Sequence, residues 1–150
     1  MKVAIACDHT GIEYKKAIIK LLTDKGIEVK DFGTDGQTAA DYPDTALPAS
    51  ETVATGACDF GILICGTGIG MSLCANKVKG IRCALCCDVF SAEATRLHND
   101  ANILSLGARV ISEKLALEIT DTFLSTAYSG EERHTRRIDK IKSIENKYFK

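Results

Sequence analysis

Short hydrophobic runs recur along the chain, with amphipathic stretches between them. Residues 1–7, 60–65, 81–87 and 103–106 are nearly continuous apolar segments, and a shorter run covers 27–32. Strands that are buried on both faces of a parallel sheet have this unbroken apolar character, whereas half-exposed strands alternate. The pattern therefore predicts a parallel sheet with layers on both faces.

Helical periodicity fills the intervals between the runs. In residues 11–25, Tyr14, Ile18 and Leu22 recur at helical spacing, and Gly26 is placed to end the helix. Similar stretches cover residues 45–55, 72–78, 91–99 and 112–126. Pro48 fits the first of these only if it lies in the first turn. Alternating strands and helices predict a right-handed, doubly wound α/β fold.

A terminal helix is predicted after Gly130. Its apolar stripe consists of Ile138, Ile141, Ile144 and Tyr148, three to four residues apart. An apolar stripe needs something to cover it, and a partner subunit is one candidate.

Composition narrows the classes of protein that need to be considered. With 150 residues and 45% hydrophobic composition, the chain has room for one domain, residues 1–150. A net charge of −1 gives no general attraction to nucleic acid. The first apolar run is too short for a secretory signal or a membrane span, so we expect a soluble, cytoplasmic protein. Most of the seven cysteines are interpreted as small apolar residues in a reducing compartment.

The segment Cys65-Gly66-Thr67-Gly68-Ile69-Gly70 is the most informative part of the sequence. A buried strand leads into a glycine-rich turn and then a helix, so backbone N–H groups and the positive end of the helix converge on one spot. Taken alone, the glycines indicate no more than a tight turn, and their spacing is not the dinucleotide-binding fingerprint. Cys65 adds a functional indication because it lies at the carboxyl end of the strand, where a helix terminus favours the thiolate.

Asp8 and His9 follow the first strand and are predicted at the same sheet edge as Cys65, because parallel strands point one way. In isolation they are equally consistent with a helix cap and a surface imidazole.

His98 ends a helix, where it is also explained as a partner of the helix dipole. Arg109 follows the last strand, and Arg133, Arg136 and Arg137 cluster near the terminal helix. Guanidinium groups suit phosphate oxygens, although such a charge run is also typical of a solvated face. We expect all of these candidates to lie at the carboxyl ends of strands or on helices that reach them.

Together these segments resemble the B-type ribose-5-phosphate isomerases of the ribose/galactose isomerase family. The matching segments span nearly the whole chain: Cys7-Asp8-His9-x-Gly11, Asp41-Tyr42-Pro43, Cys65 to Gly70, His98-Asn99-Asp100, Gly107-x-Arg109 and Arg133-His134-x-x-Arg137. The resemblance implies a Rossmann-like three-layer α/β sandwich with a five-stranded parallel sheet and a C-terminal helix. It also implies a homodimer or a pair of dimers whose active sites use both subunits.

The resemblance implies a role for each residue in the isomerisation of a sugar phosphate. Cys65 is the base that moves a proton between C1 and C2 through a cis-enediolate, Thr67 lies beside it, and His98 assists ring opening. The implied substrate contacts are Asp8, His9, Gly66, Thr67, Gly68, Ile69, Gly70, Asn99, Arg109, Arg133 and Arg137. No metal or organic cofactor is implied, and the reaction belongs to the pentose phosphate pathway of carbohydrate metabolism.

Two alternatives remain open at the level of sequence. One is isomerisation of a six-carbon substrate such as allose or galactose 6-phosphate. The other is a non-catalytic module that only binds phosphate. One departure from the family pattern is Glu131-Glu132 before Arg133, where glycines are common.

Overall fold

The computed structural model describes residues 1–36 and 39–149. The strands are β1 (Lys2–Cys7), β2 (Glu28–Asp31), β3 (Phe60–Cys65), β4 (Cys83–Leu85) and β5 (Ile103–Gly107). The helices are α1 (Ile12–Asp24), α2 (Tyr42–Ala54), α3 (Ile69–Ala75), α4 (Val89–Asn99), α5 (Glu113–Ser125) and α6 (Glu132–Tyr148). The five strands form one parallel sheet in the order β2-β1-β3-β5-β4, which confirms the predicted fold class.

Alternating side chains of the central strands build two apolar layers, one on each face of the sheet. Val3, Ile5 and Cys7 of β1 belong to a cluster that includes Ile18 of α1, Ala92 of α4 and Phe123 of α5. Ala4 and Ala6 belong to a second cluster, with Ala46 and Ala49 of α2 and Met71 of α3. Because β3 alternates in the same way, Cys65 faces the layer of α2 and α3.

Several predicted boundaries differ from the structure, and the helix predicted at 72–78 covers Ile69–Ala75. The strand predicted at 81–87 is paired only over Cys83–Leu85, because β4 lies at the sheet edge beside β5 alone. Helix α2 begins at Tyr42, with Pro43 in its first turn, so Pro48 lies inside the helix and its expected place in the first turn is wrong. A proline inside a helix removes one backbone hydrogen bond, and the surrounding packing of Ala46, Ala49 and Val53 tolerates that loss.

The terminal helix α6 packs beside α4 with only part of its apolar stripe covered. Ile138 is buried, whereas Ile144 and Tyr148 remain exposed. These exposed residues line an apolar groove of about 620 Å³, together with Ile81 and Ala101. No helix in the described part of the chain has the length and apolar character needed to cross a membrane.

Candidate active site

The carboxyl edge of the sheet brings Cys65 and Asp8 together. Cys7 pairs with Ile64 in the β1–β3 register, and the Asp8 N–H donates to the Ile64 carbonyl at 3.1 Å. Asp8 therefore follows β1 directly beside the end of β3. Cys65 is the last residue of β3 and is 5% exposed.

The glycine turn directs a backbone donor at the Cys65 sulfur. The Gly68 N–H donates to Cys65 Sγ at 3.1 Å, and the Ile69 N–H donates to Thr67 Oγ1 at 3.3 Å. Gly68 has a φ of 77°, and a Cβ there would lie 2.9 Å from the carbonyl carbon of Leu106, so only glycine fits. Preorganised backbone N–H donors of this kind stabilise negative charge that develops on a reacting group nearby. The turn therefore positions a hydrogen-bond donor beside Cys65 in addition to reversing the chain direction.

Asp8 is held in a fixed orientation by Thr10. Its Oδ1 accepts the Thr10 N–H at 2.8 Å and the Thr10 hydroxyl at 2.6 Å, and the residue is buried. Since both bonds go to Oδ1, the second carboxylate oxygen keeps its capacity to accept a hydrogen bond from a ligand. His9, the next residue, is exposed.

Arg109 reaches this edge from the end of β5. Its N–H donates to the Gly66 carbonyl at 2.9 Å, and the neighbouring Ala108 N–H donates to the Cys65 carbonyl at 2.9 Å. A Cβ on Gly66 would lie 3.5 Å from Arg109 Cδ, so the arginine side chain passes over the turn. The structure thus places Asp8, His9, Cys65 to Gly70 and Arg109 in one neighbourhood, which we call the thiol half-site.

His98 and Asn99 lie elsewhere in the same chain. They end α4, and the segment that follows leads into the start of β5, where the Gly61 N–H donates to the Asn102 carbonyl at 2.9 Å. Gly61 and Cys65 are four residues apart along β3, about 13 Å of strand. His98 and Asn99 therefore lie at the amino end of the sheet, not at the end that holds Cys65.

The corner after Asn99 is tightly anchored. Asp100 adopts a left-handed backbone with a φ of 46°, and its carboxylate accepts Arg96 at 2.8 Å and Arg82 at 3.1 Å. Arg96 is 6% exposed and its guanidinium lies 4.8 Å from the ring centroid of Phe60. Two arginines on one carboxylate fix the end of α4, and with it the position of His98.

The basic residues of α6 belong to the same end as His98. The Ser129 N–H donates to the Leu97 carbonyl at 3.3 Å, which fastens the segment before α6 to α4. His134 of α6 stacks on His98 with ring centroids 4.4 Å apart. Arg133 and Arg137 are exposed beside His134, and Arg133 pairs with Glu131 at 2.7 Å. We call His98, Asn99, Arg133, His134 and Arg137 the imidazole half-site.

The expectation that every candidate reaches the carboxyl edge is therefore wrong within a single chain. In a parallel sheet each helix returns to the amino end before the next strand begins, so the end of α4 could not lie beside Cys65. The order of elements in the sequence already carried this signal.

The other thiols differ from Cys65 in their surroundings. Cys83 and Cys86 have a Cys-x-x-Cys spacing, but Cys83 packs on the α2–α3 side of the sheet and Cys86 belongs to the cluster on the opposite side. Burial raises the pKa of the Cys86 thiol to about 11, with Asp88 adding to the effect. Among the described residues, no three His, Cys, Asp or Glu side chains converge into a group that could hold a metal ion.

Three residues near the half-sites had no role in the sequence analysis. Thr10 orients Asp8, and its place two residues after an aspartate is the signal for such a turn. The Tyr42 ring lies against Gly70, where a Cβ would approach it to 2.9 Å. His134 was noted only as part of a motif, and no spacing rule connects it to His98, which is distant along the chain.

A doubly wound α/β sheet with a glycine-rich turn after a central strand is typical of enzymes that act on small molecules. Residues 3–141 match the model of the Ribose/Galactose Isomerase family, and the chain belongs to that family.

Named relatives agree with this assignment over almost their full lengths. The chain is 55% identical to "Putative sugar phosphate isomerase YwlF" of Bacillus subtilis over 98% of this chain and 99% of that protein. It is 44% identical to "Ribose-5-phosphate isomerase B" of Escherichia coli over 97% of each chain. The solved structure of Clostridium thermocellum ribose-5-phosphate isomerase B is 51% identical, covers 99% of both chains and superposes with a TM-score of 0.96.

Proposed function

We propose that this protein interconverts ribose 5-phosphate and ribulose 5-phosphate, with Cys65 as the base that moves the proton. Family membership and relatives that carry the name ribose-5-phosphate isomerase B support the reaction. The observation that carries the role of Cys65 is the 3.1 Å contact between its sulfur and the Gly68 N–H. Asp8 is the proposed partner of a sugar hydroxyl, and its fixed orientation at the adjacent strand end, set by Thr10, supports this role.

The chemistry begins with an open-chain aldose. Cys65 removes the proton from C2, and the electron pair forms the C1–C2 double bond of a cis-enediolate, whose negative charge lies on oxygen. Return of the proton to C1, with transfer of a proton from O2 to O1, completes the ketose. Preorganised N–H donors of the Gly66 to Gly70 turn contribute on the order of 3 kcal/mol each to such a state. Thr67 Oγ1 accepts the Ile69 N–H, which leaves its own hydroxyl proton for a substrate oxygen.

Ring opening precedes this step because ribose 5-phosphate closes into a furanose. An acid must deliver a proton to the ring oxygen while the C1 hydroxyl loses one, and His98 is assigned this role. Positioned acid–base groups contribute about 10²–10⁴ in rate. His9, Arg109, Arg133 and Arg137 are the proposed phosphate contacts, with Asn99 as a further substrate contact. Binding the phosphate far from the reacting carbons orients the substrate.

A second copy of the chain completes this site. The thiol half-site and the imidazole half-site lie at opposite ends of one sheet, so a single chain cannot bring both to one sugar. Exposed apolar side chains surround the thiol half-site: Ile69, Leu73, Leu85, Phe90 and Val110 are 43–76% exposed. A symmetric pair that docks the imidazole half-site of one protomer against this surface of the other forms two equivalent sites.

The decisive experiment incubates the protein with ribose 5-phosphate in heavy water and follows deuterium at C2 by NMR. Cys65→Ala is expected to lose conversion and exchange by at least about a thousandfold while keeping its fold, because the base is gone. Cys86→Ala is the matched control, since Cys86 is also a buried thiol at the carboxyl edge and has no assigned role. It is expected to behave as wild type.

Other outcomes distinguish the rival functions. Full turnover by Cys65→Ala would reject the cysteine mechanism. If wild type binds the sugar phosphate without exchange or conversion, the protein is a binding module. A much higher kcat/KM on allose 6-phosphate or galactose 6-phosphate would assign a six-carbon substrate.

A further inference from the structure

His134 is a buried imidazole that has no role in the reaction described above. The residue is 4% exposed, and its ring lies against His98 with an interplanar angle of 17°. His98 is exposed, so the pair consists of one ring that ligands can reach and one ring beneath it. A flat ring stacked at 4.4 Å restricts the orientations open to its neighbour.

The surroundings of His134 favour its uncharged form. Its Nε2 is buried and has no hydrogen-bond partner among the described residues. A charged imidazole donates from both nitrogens, so protonation would bury an unpaired charged donor. Two like charges on stacked rings also repel each other.

Charged groups around the pair act mainly in the same direction. Burial lowers the pKa of His134 below its ordinary value, and the charges of His98, Arg133 and Arg137 lower it further. Glu131, at the start of α6, acts in the opposite direction. That carboxylate is already paired with Arg133 at 2.7 Å. The surroundings of the buried ring therefore favour its neutral form.

We propose that His134 is a positioning residue, which fixes the His98 ring by stacking and itself remains uncharged. This inference rests on the proposed function, in which His98 assists ring opening. It predicts that the flat shape of the His134 side chain is needed for opening of the furanose, whereas its ring nitrogens are not. Proton transfer by Cys65 is expected to be independent of it.

The two steps can be measured separately because the ketose needs no ring opening. O5 of ribulose 5-phosphate is esterified, so this sugar has no furanose form. Exchange of its C1 proton in heavy water therefore reports proton transfer alone, whereas consumption of ribose 5-phosphate also includes ring opening. The experiment measures the rate of C1 exchange and the rate of ribose 5-phosphate consumption in wild type, His134→Ala, His134→Phe and Ile138→Ala. Ile138 is the matched control, since it is buried on the same face of α6 one turn further along.

His134→Ala is expected to slow consumption of ribose 5-phosphate about tenfold or more, with C1 exchange of ribulose 5-phosphate within about twofold of wild type. His134→Phe, which keeps a flat uncharged ring, should retain consumption within about threefold. Ile138→Ala should leave the ratio of the two rates unchanged. His134→Phe remains informative if His134→Ala does not fold.

Three results would overturn the proposal. If His134→Ala lowers both rates equally, the residue is only structural. If His134→Phe loses consumption as fully as His134→Ala, the nitrogens act directly and stacking is not the cause. If His134→Ala equals wild type in both rates, the ring has no role. Wild type without activity on either sugar would reject the proposed function itself, and this inference with it.

Discussion

The two ends of the sheet are built by different means. At the carboxyl end, Cys65, Asp8 and the glycine turn are held by strand register and by backbone hydrogen bonds such as Arg109 N–H to Gly66 carbonyl at 2.9 Å. At the amino end, His98 depends on side-chain contacts, namely its stack on His134 of α6 and the ion pairs of Asp100 with Arg82 and Arg96. The thiol half-site is held by the backbone of the sheet, whereas the imidazole half-site depends on side-chain packing between α4 and α6.

This difference separates the parts of the reaction. Proton transfer needs hydrogen-bond donors that are fixed close to the developing charge. The backbone turn supplies such donors, and its conformation requires a glycine at position 68. In the proposed function, ring opening and phosphate binding use exposed side chains from a second protomer, namely His98 at the end of α4 and Arg133 and Arg137 on α6. On this proposal, the complete site forms only when two copies of the chain associate.

The largest expected effect tests whether the two ends belong to one site. Cys65→Ala and His98→Asn should each be nearly inactive alone. Mixed by co-refolding at equal amounts, they should regain about a quarter of wild-type activity, because half of the dimers are mixed and each mixed dimer has one intact site of two. Initial rates on ribose 5-phosphate measure the recovery.

The control for this mixture is the double variant Cys65→Ala, His98→Asn refolded with an equal amount of wild type. Its mixed dimers hold one mutated residue in each site, so only the wild-type dimers stay active and activity should again be about a quarter of that of wild type alone. No recovery in the first mixture, with subunit exchange verified by mass, would show that each chain forms its site alone.

The carboxyl end was the more predictable from sequence. The apolar runs gave the strands that hold Cys65 and Asp8, and the rule that parallel strands share an edge placed these residues together. The position expected for His98 is wrong because α4, like each helix between parallel strands, returns to the amino end of the sheet. The His98–His134 stack could not be predicted, since it depends on how α6 docks on α4, and no periodicity in either helix encodes the partner.

An intermediate effect is expected from the phosphate contacts at the amino end. Arg137→Ala should raise KM for ribose 5-phosphate about tenfold or more while kcat stays within about threefold, since a phosphate contact stabilises ground and transition states alike. Steady-state kinetics in the aldose direction give both constants.

Arg136→Ala is the matched control for this measurement. Arg136 is also an exposed arginine of α6, but it borders a different surface with Asp139 and Lys140. Its KM should stay near that of wild type. An unchanged KM in Arg137→Ala would mean that these arginines form a solvated face.

The smallest expected effect concerns stability at the amino end. Because the pKa of His134 is lowered in the folded state, the unfolded chain binds more protons just below its ordinary pKa of 6.5. Stability conferred by the neutral ring is thus fully present above this pH and is lost progressively as the pH falls below it, until the folded ring is also protonated. His134→Phe removes this titration, so its free energy of unfolding should decline less than that of wild type between about pH 7 and 5.

Urea unfolding at fixed protein concentration measures the free energy of unfolding of each protein against pH. The control is Ile138→Ala, which keeps His134, and its curve should run parallel to that of wild type. Parallel curves for wild type and His134→Phe would show that His134 takes up its proton equally in both states, and the packing of α6 on α4 would then have no influence on its charge.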